Sequence, residues 1–309
     1  MIVTVTLNPM LDKTITVSSI ALGHIHRAET VVGVAGGKGI NVARQLKHLG
    51  HDCIATGFLG GEVGQIVAGL LSEEGIRHDF VMTDSQTREG LTFLEPDGTA
   101  TSVFEPTPSI DGKFLQLLVQ KVASLMSESH WIALCGSSPS LETERVCGEV
   151  IARAHQLGTR SVLDSYGETL RFGIAAKPNI VKINKDEYET TFRVSLKSEA
   201  DILRALDSLL SHGIQHCVMT NGSQPAYAAS QAQRWKLVSP SIEAVNPVGS
   251  GDAMLAGILY GFEESWDFEE CLAFGIAAGV ANAKQWSVAR SSLEAILAIK
   301  PSVEVHRLK

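Results

Sequence analysis

Asn246–Gly257, NPVGSGDAMLAG, is the segment whose residue types and spacing constrain the chemistry most. A strand-like stretch, Ile242–Val245, leads into Pro247, then Gly249, Ser250 and Gly251, and Asp252 opens an apolar helical pattern. Unpaired N–H groups at a helix N-terminus attract an anion, and the helix dipole favours negative charge there. Glycine lets the backbone approach that anion closely. A carboxylate beside an anion site would oppose simple phosphate binding. It makes sense where it takes a proton from a hydroxyl attacking phosphorus. The competing reading is that Asp252 only caps the helix.

A second glycine-rich turn, Ala35–Arg44 (AGGKGINVAR), also opens a helix. It lacks the G-x-x-x-x-G-K-[ST] spacing of a Walker A loop. Paired glycines with Lys38 and Asn41 in the first turn suit a polyhydroxylated or phosphorylated ligand; the alternative is a plain turn into a helix. The glycines between Gly57 and Gly64 miss the G-x-G-x-x-G spacing of a dinucleotide loop and read as a strand-to-helix turn.

These segments need a frame. Apolar runs at Ile2–Leu7, Cys53–Leu59, Trp131–Cys135, Ser161–Asp164, Ile180–Ile183 and Cys217–Thr220 read as strands. Helical patterns cover Lys38–Leu49, Gln65–Glu74, Leu115–Met126, Glu142–Leu157 and Ala200–Ser211. The alternation predicts an α/β fold with a doubly wound, mainly parallel sheet, whose ligands sit beyond the carboxyl ends of the strands. The last third reads as helical: Asp252–Phe262, Phe268–Gln285 and Ser292–Ile299. Two β-rich insertions, at about 12–34 and 87–105, break the rhythm. The second carries an Asp-Gly hairpin turn. Together they predict a small β-sheet lid on a single domain spanning 1–309.

Bulk properties narrow the class. With 44% hydrophobic and 19% charged residues the chain has a globular composition. Its net charge of −8 argues against nucleic-acid and anionic-membrane partners. No apolar run is long enough to span a bilayer, and MIVTVTLNP has no leader character. The five scattered cysteines form no C-x-x-C pair and read as buried thiols of a cytoplasmic protein. The ten histidines show no metal spacing, and Lys182 and Lys185 read as solvated.

GGKGIN near the start and VGSGDAMLAG near the end resemble the two signatures of the PfkB family of carbohydrate kinases, with its ribokinase-like fold. The opening TLNPMLD resembles the hexose-phosphate branch of that family, and the similarity runs over essentially the whole chain. The resemblance implies ATP- and Mg²⁺-dependent phosphorylation of a ketohexose phosphate to a 1,6-bisphosphate, of 1-phosphofructokinase or tagatose-6-phosphate kinase type. It implies Asp252 as base and Gly249, Ser250 and Gly251 as the anion hole. Asp12, Gly37 and Asn41 would hold sugar hydroxyls. Lys38, Arg88 and Ser137 would surround the existing phosphate, with Asp164 at a strand end and Arg27 at the lid. Asn184 and Glu187 would organise Mg²⁺, and Thr220, Gly222 and Asn282 would border the nucleotide, together with Gly251. Pairing of two lids would give a homodimer.

The sequence departs from the family pattern on the substrate side. The frequent R-x-N-V-K reads Arg88-Glu89-Gly90-Leu91-Thr92, which removes an amide and a lysine, and the loop after the third apolar run reads Cys135-Gly136-Ser137-Ser138-Pro139-Ser140. A kinase for an unphosphorylated sugar or nucleoside would not need Lys38 and Arg88. A non-catalytic sugar-phosphate sensor would not need Asp252, Asn184 and Glu187.

Overall fold

In a computed structural model describing residues 1–308, the first apolar run is strand β1 (Ile2–Thr6), buried along its length. A hairpin follows, β2 (Met10–Thr16) and β3 (Thr30–Gly36), then α1 (Lys38–His48), β4 (Cys53–Gly60), α2 (Gly61–Glu73) and the short β5 (Val81–Thr83). A second hairpin carries β6 (Arg88–Leu94) and β7 (Ala100–Phe104). The chain then alternates through α3 (Lys113–Met126), β8 (Trp131–Cys135), α4 (Val146–Leu157), β9 (Arg160–Asp164), α5 (Gly167–Ala175) and β10 (Ile180–Asn184). After α6 (Lys185–Phe192) and α7 (Glu199–Ser211) come β11 (His216–Asn221), β12 (Gln224–Ser230) and β13 (Arg234–Val238). Helices α8 (Ser250–Glu263), α9 (Phe268–Ala283) and α10 (Leu293–Ile299) precede β14 (Glu304–Leu308).

The large sheet has the order β14-β13-β12-β11-β10-β9-β8-β1-β4-β5. It is parallel from β11 to β5 and antiparallel from β11 to β14. Strand side chains alternate between two apolar layers. Val3, Val5, Ile132 and Leu134 join the cluster containing Leu118, Val150 and Leu206, whereas Ile2, Trp131 and Ala133 join the one containing Ile40, Val67 and Leu255. This two-sided burial is why the parallel strands read as continuous apolar runs.

The two hairpins form a separate four-stranded sheet, β3-β2-β6-β7. Each hairpin is antiparallel, and β2 and β6 join them in parallel.

Three expectations need correction. Helix α2 begins at Gly61, a turn earlier than the apolar period suggests. Ile242–Val245 is not a strand; it runs irregularly and is tied by Val245 N donating to Ala283 O (2.8 Å). The last third is not purely helical, because β12, β13 and β14 extend the sheet there. Strand β12 is alanine-rich and β14 (EVHRL) is a charged edge strand, so neither carries an apolar β signature.

Candidate active site

Strands β1, β8, β9, β10 and β11 run parallel, so their carboxyl ends open along one edge of the large sheet, where Ser137, Asp164, Asn184 and Thr220 lie. Gly37 caps α1 at φ 131°, and a β-carbon there would lie 2.5 Å from Thr6 Cγ2 at the end of β1. Glycine is therefore required where the hairpin strand β3 turns into α1. Gly249 caps α8 at φ 77°, where a β-carbon would strike Val288. Ser250, Gly251 and Asp252 follow in the first turn of α8; Ser250 N donates to Pro247 O (3.2 Å), and no side chain caps the helix start.

Asp252 is buried. Asn41 Nδ2 donates to its Oδ2 at 2.8 Å, and Arg44 Nη1 donates to Asn41 Oδ1 at 2.9 Å, which fixes the amide with its nitrogen toward the carboxylate. Arg44 is itself held by Glu74 (2.5 Å) and Ala35 O (2.7 Å). Burial and the neighbouring Asp164 push Asp252 up to about 6, against the opposing pull of Lys38, Lys182 and Asn41. A buried carboxyl near neutrality is poised to accept a proton.

Around it lies a charge network. Lys38 Nζ contacts Asp164 Oδ1 at 2.9 Å and Glu187 Oε1 at 2.6 Å; Lys182 Nζ contacts Asp164 Oδ2 at 2.5 Å. Burial alone would lower Lys38, but Asp164, Glu187 and Asp252 raise it instead. Asp164 is held below its ordinary range: burial works against ionisation, and Lys182 and Lys38 outweigh it. The Lys38 ammonium is ion-paired with Asp164 and Glu187.

Lys182 is also corrected. It is 3% exposed, not solvated. Lys182 and Asp164 are direct cross-strand partners on β10 and β9, and a β-carbon on Gly251 would lie 3.0 Å from Lys182 Nζ. A buried positive charge thus sits directly beneath the anion loop. Cross-strand pairing explains the burial, but only the register reveals it.

Arg88, Ser137 and Tyr166 gather elsewhere, from the start of β6, the loop after β8 and the cap of α5. Ser137 Oγ donates to Tyr166 Oη at 3.1 Å. Arg88 Nε is buried with no protein partner. Burial lowers the Arg88 pKa, and Tyr166 acts in the opposite direction. An orphaned guanidinium donor is an invitation to an anionic ligand. Tyr166 carries no sequence signal beyond its place after Asp164. Asp12 lies on β2, half-buried, and burial raises its pKa. Arg27 is exposed in the loop between β2 and β3 and meets none of the other site residues among the described residues.

On the remaining side, Asn184 and Glu187 close a capping box on α6: Glu187 N donates to Asn184 Oδ1 (2.8 Å) and Asn184 N to Glu187 Oε2 (3.1 Å). Asn184 is the cross-strand partner of Thr220, and Gly222 turns at φ 58° between β11 and β12. Among the described residues no three His, Cys, Asp or Glu side chains form a metal cage. A single carboxylate in the first turn of α6 does fit hydrated Mg²⁺, which keeps its waters and binds through substrate phosphates. Asn282 is committed within the protein: Nδ2 donates to Val248 O (2.8 Å) and Ser250 Oγ (3.1 Å), and Oδ1 accepts from Ala289 N (2.6 Å). Its amide shapes the Gly249 loop, so it supports the anion site instead of presenting free groups to a ligand.

A buried carboxyl raised toward neutrality, a glycine-rich helix start and an acid in the first turn of α6, gathered at the strand ends of a doubly wound sheet, form an arrangement suited to phosphoryl transfer. Residues 5–295 match the family described as pfkB family carbohydrate kinase. The chain belongs to that family, whose members transfer phosphoryl groups to an alcohol. Among solved structures it is similar to a candidate phosphofructokinase from Staphylococcus aureus, with 30% identity, 100% of this chain and 99% of that chain covered, and a TM-score of 0.85. Phosphofructokinase-2 from Escherichia coli in complex with potassium is 26% identical, with 97% of this chain and 98% of that chain covered and a TM-score of 0.91. A candidate 1-phosphofructokinase from Thermotoga maritima is 26% identical, with 100% and 99% covered and a TM-score of 0.91.

Proposed function

We propose that this chain transfers the γ-phosphoryl group of ATP to a hydroxyl of a ketohexose phosphate, giving a 1,6-bisphosphate. The observation that carries the substrate class is Arg88. Its buried, unpartnered Nε stands with Ser137 and Tyr166 in a group that shares no side-chain hydrogen bond with the Asp252 network among the described residues. An acceptor already phosphorylated at one end satisfies both groups at once. The Escherichia coli phosphofructokinase-2 has been solved in complex with fructose-6-phosphate, which supports the same class of acceptor.

In this reading Asp12, Asn41 and Gly37 hold sugar hydroxyls, and Asp252 takes the proton of the reacting one as its oxygen attacks the γ-phosphorus. The β–γ bridging oxygen leaves with ADP. The N–H groups of Gly249–Gly251, with Lys182 beneath them, receive the charge of the transferring group. Glu187 and Asn184 would hold hydrated Mg²⁺, which would supply neutralisation of the nucleotide's phosphates. Thr220 and Gly222 border the nucleotide. Asp164 keeps Lys38 charged and holds Lys182 in place. We read residues 1–309 as one ribokinase-like domain whose small sheet is a lid that excludes water from the site, and whose exposed face pairs with a second copy to form a homodimer. Five free, buried cysteines support a reducing, cytoplasmic setting. No described helix is long and apolar enough to cross a membrane.

The test is ADP release in a coupled assay with fructose 1-phosphate, tagatose 6-phosphate, fructose 6-phosphate and the free ketohexoses. Turnover of a sugar phosphate with at most trace activity on its dephosphorylated form is expected. Preference for a free sugar would overturn the acceptor class while leaving the phosphotransferase intact.

A further inference from the structure

The face of the small sheet that carries Asp12 and Arg88 carries another feature, which the reaction as proposed leaves unused. In the registers of β2, β6 and β7, Met10 pairs with Arg88, Asp12 with Gly90, and Gly90 with Phe104. Directly paired residues leave a sheet on the same side, as do residues two apart along a strand. Met10, Asp12, Arg88 and Phe104 therefore share one face, with the side-chain-free position Gly90 among them. The ring of Phe104 fills that gap: a β-carbon at Gly90 would lie 2.7 Å from Phe104 Cδ1, 2.8 Å from Cε1 and 3.1 Å from Met10 Sδ. Glycine in a strand marks a close approach of this kind. The ring lies against the backbone next to Asp12 and remains 53% exposed.

The chemistry of that surface is specific. Arg88 offers charged donors, Asp12 offers acceptors, and the ring offers neither. It offers a flat apolar wall, which suits the C–H face of a sugar whose hydroxyls and phosphate are held by the polar neighbours. A hydroxyl turned toward the ring would lose water without gaining a partner. Resting on the ketohexose-phosphate reading above, we propose that Phe104, seated on Gly90, is the specificity-determining wall of the acceptor site, packing against the C–H face of the sugar and selecting among epimers by which hydroxyl it leaves unpartnered.

The test is steady-state kinetics on the full-length protein with the two C4-epimeric acceptors, fructose 6-phosphate and tagatose 6-phosphate. Phe104→Ala should raise KM for the better acceptor about tenfold and change the epimer ratio of kcat/KM at least about threefold, the range set by small apolar pocket contacts. KM for ATP should hold. Gly90→Ala should give a similar loss, because its β-carbon displaces the ring, and should add almost nothing in the Phe104→Ala background. Unchanged KM and epimer ratio in Phe104→Ala would overturn the proposal. So would a fall in Tm alone, which marks a cross-strand packing role, or losses that follow dissociation of an oligomer in sedimentation. If the wild type phosphorylates no ketohexose phosphate at all, the acceptor class itself fails; turnover by the wild type with insensitivity at Phe104 refutes only the wall.

Discussion

Asp252 stands under opposed electrostatic demands. Burial and Asp164 favour its protonated form, while Lys38, Lys182 and Asn41 favour the carboxylate. The first two win, and the group titrates at about 6. Activity should therefore fall on the acid side with a midpoint near 6 in kcat/KM, as the base becomes protonated. The same shift fixes a stability trend. The folded pKa lies above the unfolded value, so this group's stabilising contribution is complete below the unfolded pKa of 3.8 and is lost as pH rises through about 6. Asp252→Asn should lower kcat by at least about 10²-fold. It should also raise Tm at pH 8 more than at pH 5, which scanning calorimetry at the two pH values would show. Near-normal turnover would remove Asp252 from the chemistry. Arg88 makes the complementary case for binding. With its Nε unpartnered, Arg88→Ala should raise KM for the sugar phosphate by roughly 1.5–3 kcal/mol, the value of a charged hydrogen bond, and leave KM for ATP and activity on the free sugar almost unmoved. Equal losses on both acceptors would point to a general folding defect.

At the scale of elements, two helix N-termini do different work. Helix α8 begins at a left-handed glycine, and its cap offers no side-chain acceptor; Ser250 N is tied to Pro247 O, and no side chain competes with an anion for the N–H groups of Gly251 and Asp252. Helix α6 begins with a closed capping box, in which Asn184 and Glu187 satisfy each other's backbone. The box orients Glu187 while its Oε1 faces Lys38 at 2.6 Å. Glutamine can make the same box without the charge. Glu187→Gln should therefore keep Tm within about 1 kcal/mol of wild-type stability but raise the Mg²⁺ concentration needed for half-maximal rate. An unchanged Mg²⁺ titration would leave the pair a cap and nothing more. Both the G-S-G-D and the N-x-x-E patterns were legible because capping and anion loops are local: their residues lie within one turn. The strand Ile242–Val245 was misread because a short β-branched run looks the same whether or not a neighbour is available to pair with it.

For the whole molecule, the small sheet leaves apolar side chains uncovered. On the face opposite Asp12, Val31 and Val103 are more than half exposed, and Leu22 and Ile25, in the loop joining β2 to β3, are 96% and 97% exposed. Adjacent apolar surface on a two-hairpin sheet is the signature of a partner surface, and a second copy meeting it face to face would give a closed, symmetric pair. Leu22→Lys combined with Ile25→Lys should shift the protein from dimer to monomer in sedimentation at micromolar concentration and lower activity with it. A wild type that sediments as a fully active monomer would reject the pairing.

By itself the sequence determined the α/β alternation, the two glycine-rich helix starts and the place of Asp252 in the first turn of α8, since each rests on periodicity or on residues adjacent in the chain. Only the tertiary structure decided which charges meet. Lys182 looked like a surface lysine until the β9–β10 register set it opposite Asp164 and beneath Gly251. Lys38 is paired with Asp164 and Glu187, and Arg44 emerged as the residue that aims Asn41. Asn282 turned inward to hold the loop it precedes in space but follows in sequence. Strand register and long-range packing bring together residues more than a hundred positions apart, and electrostatic energy depends on those separations, not on order along the chain.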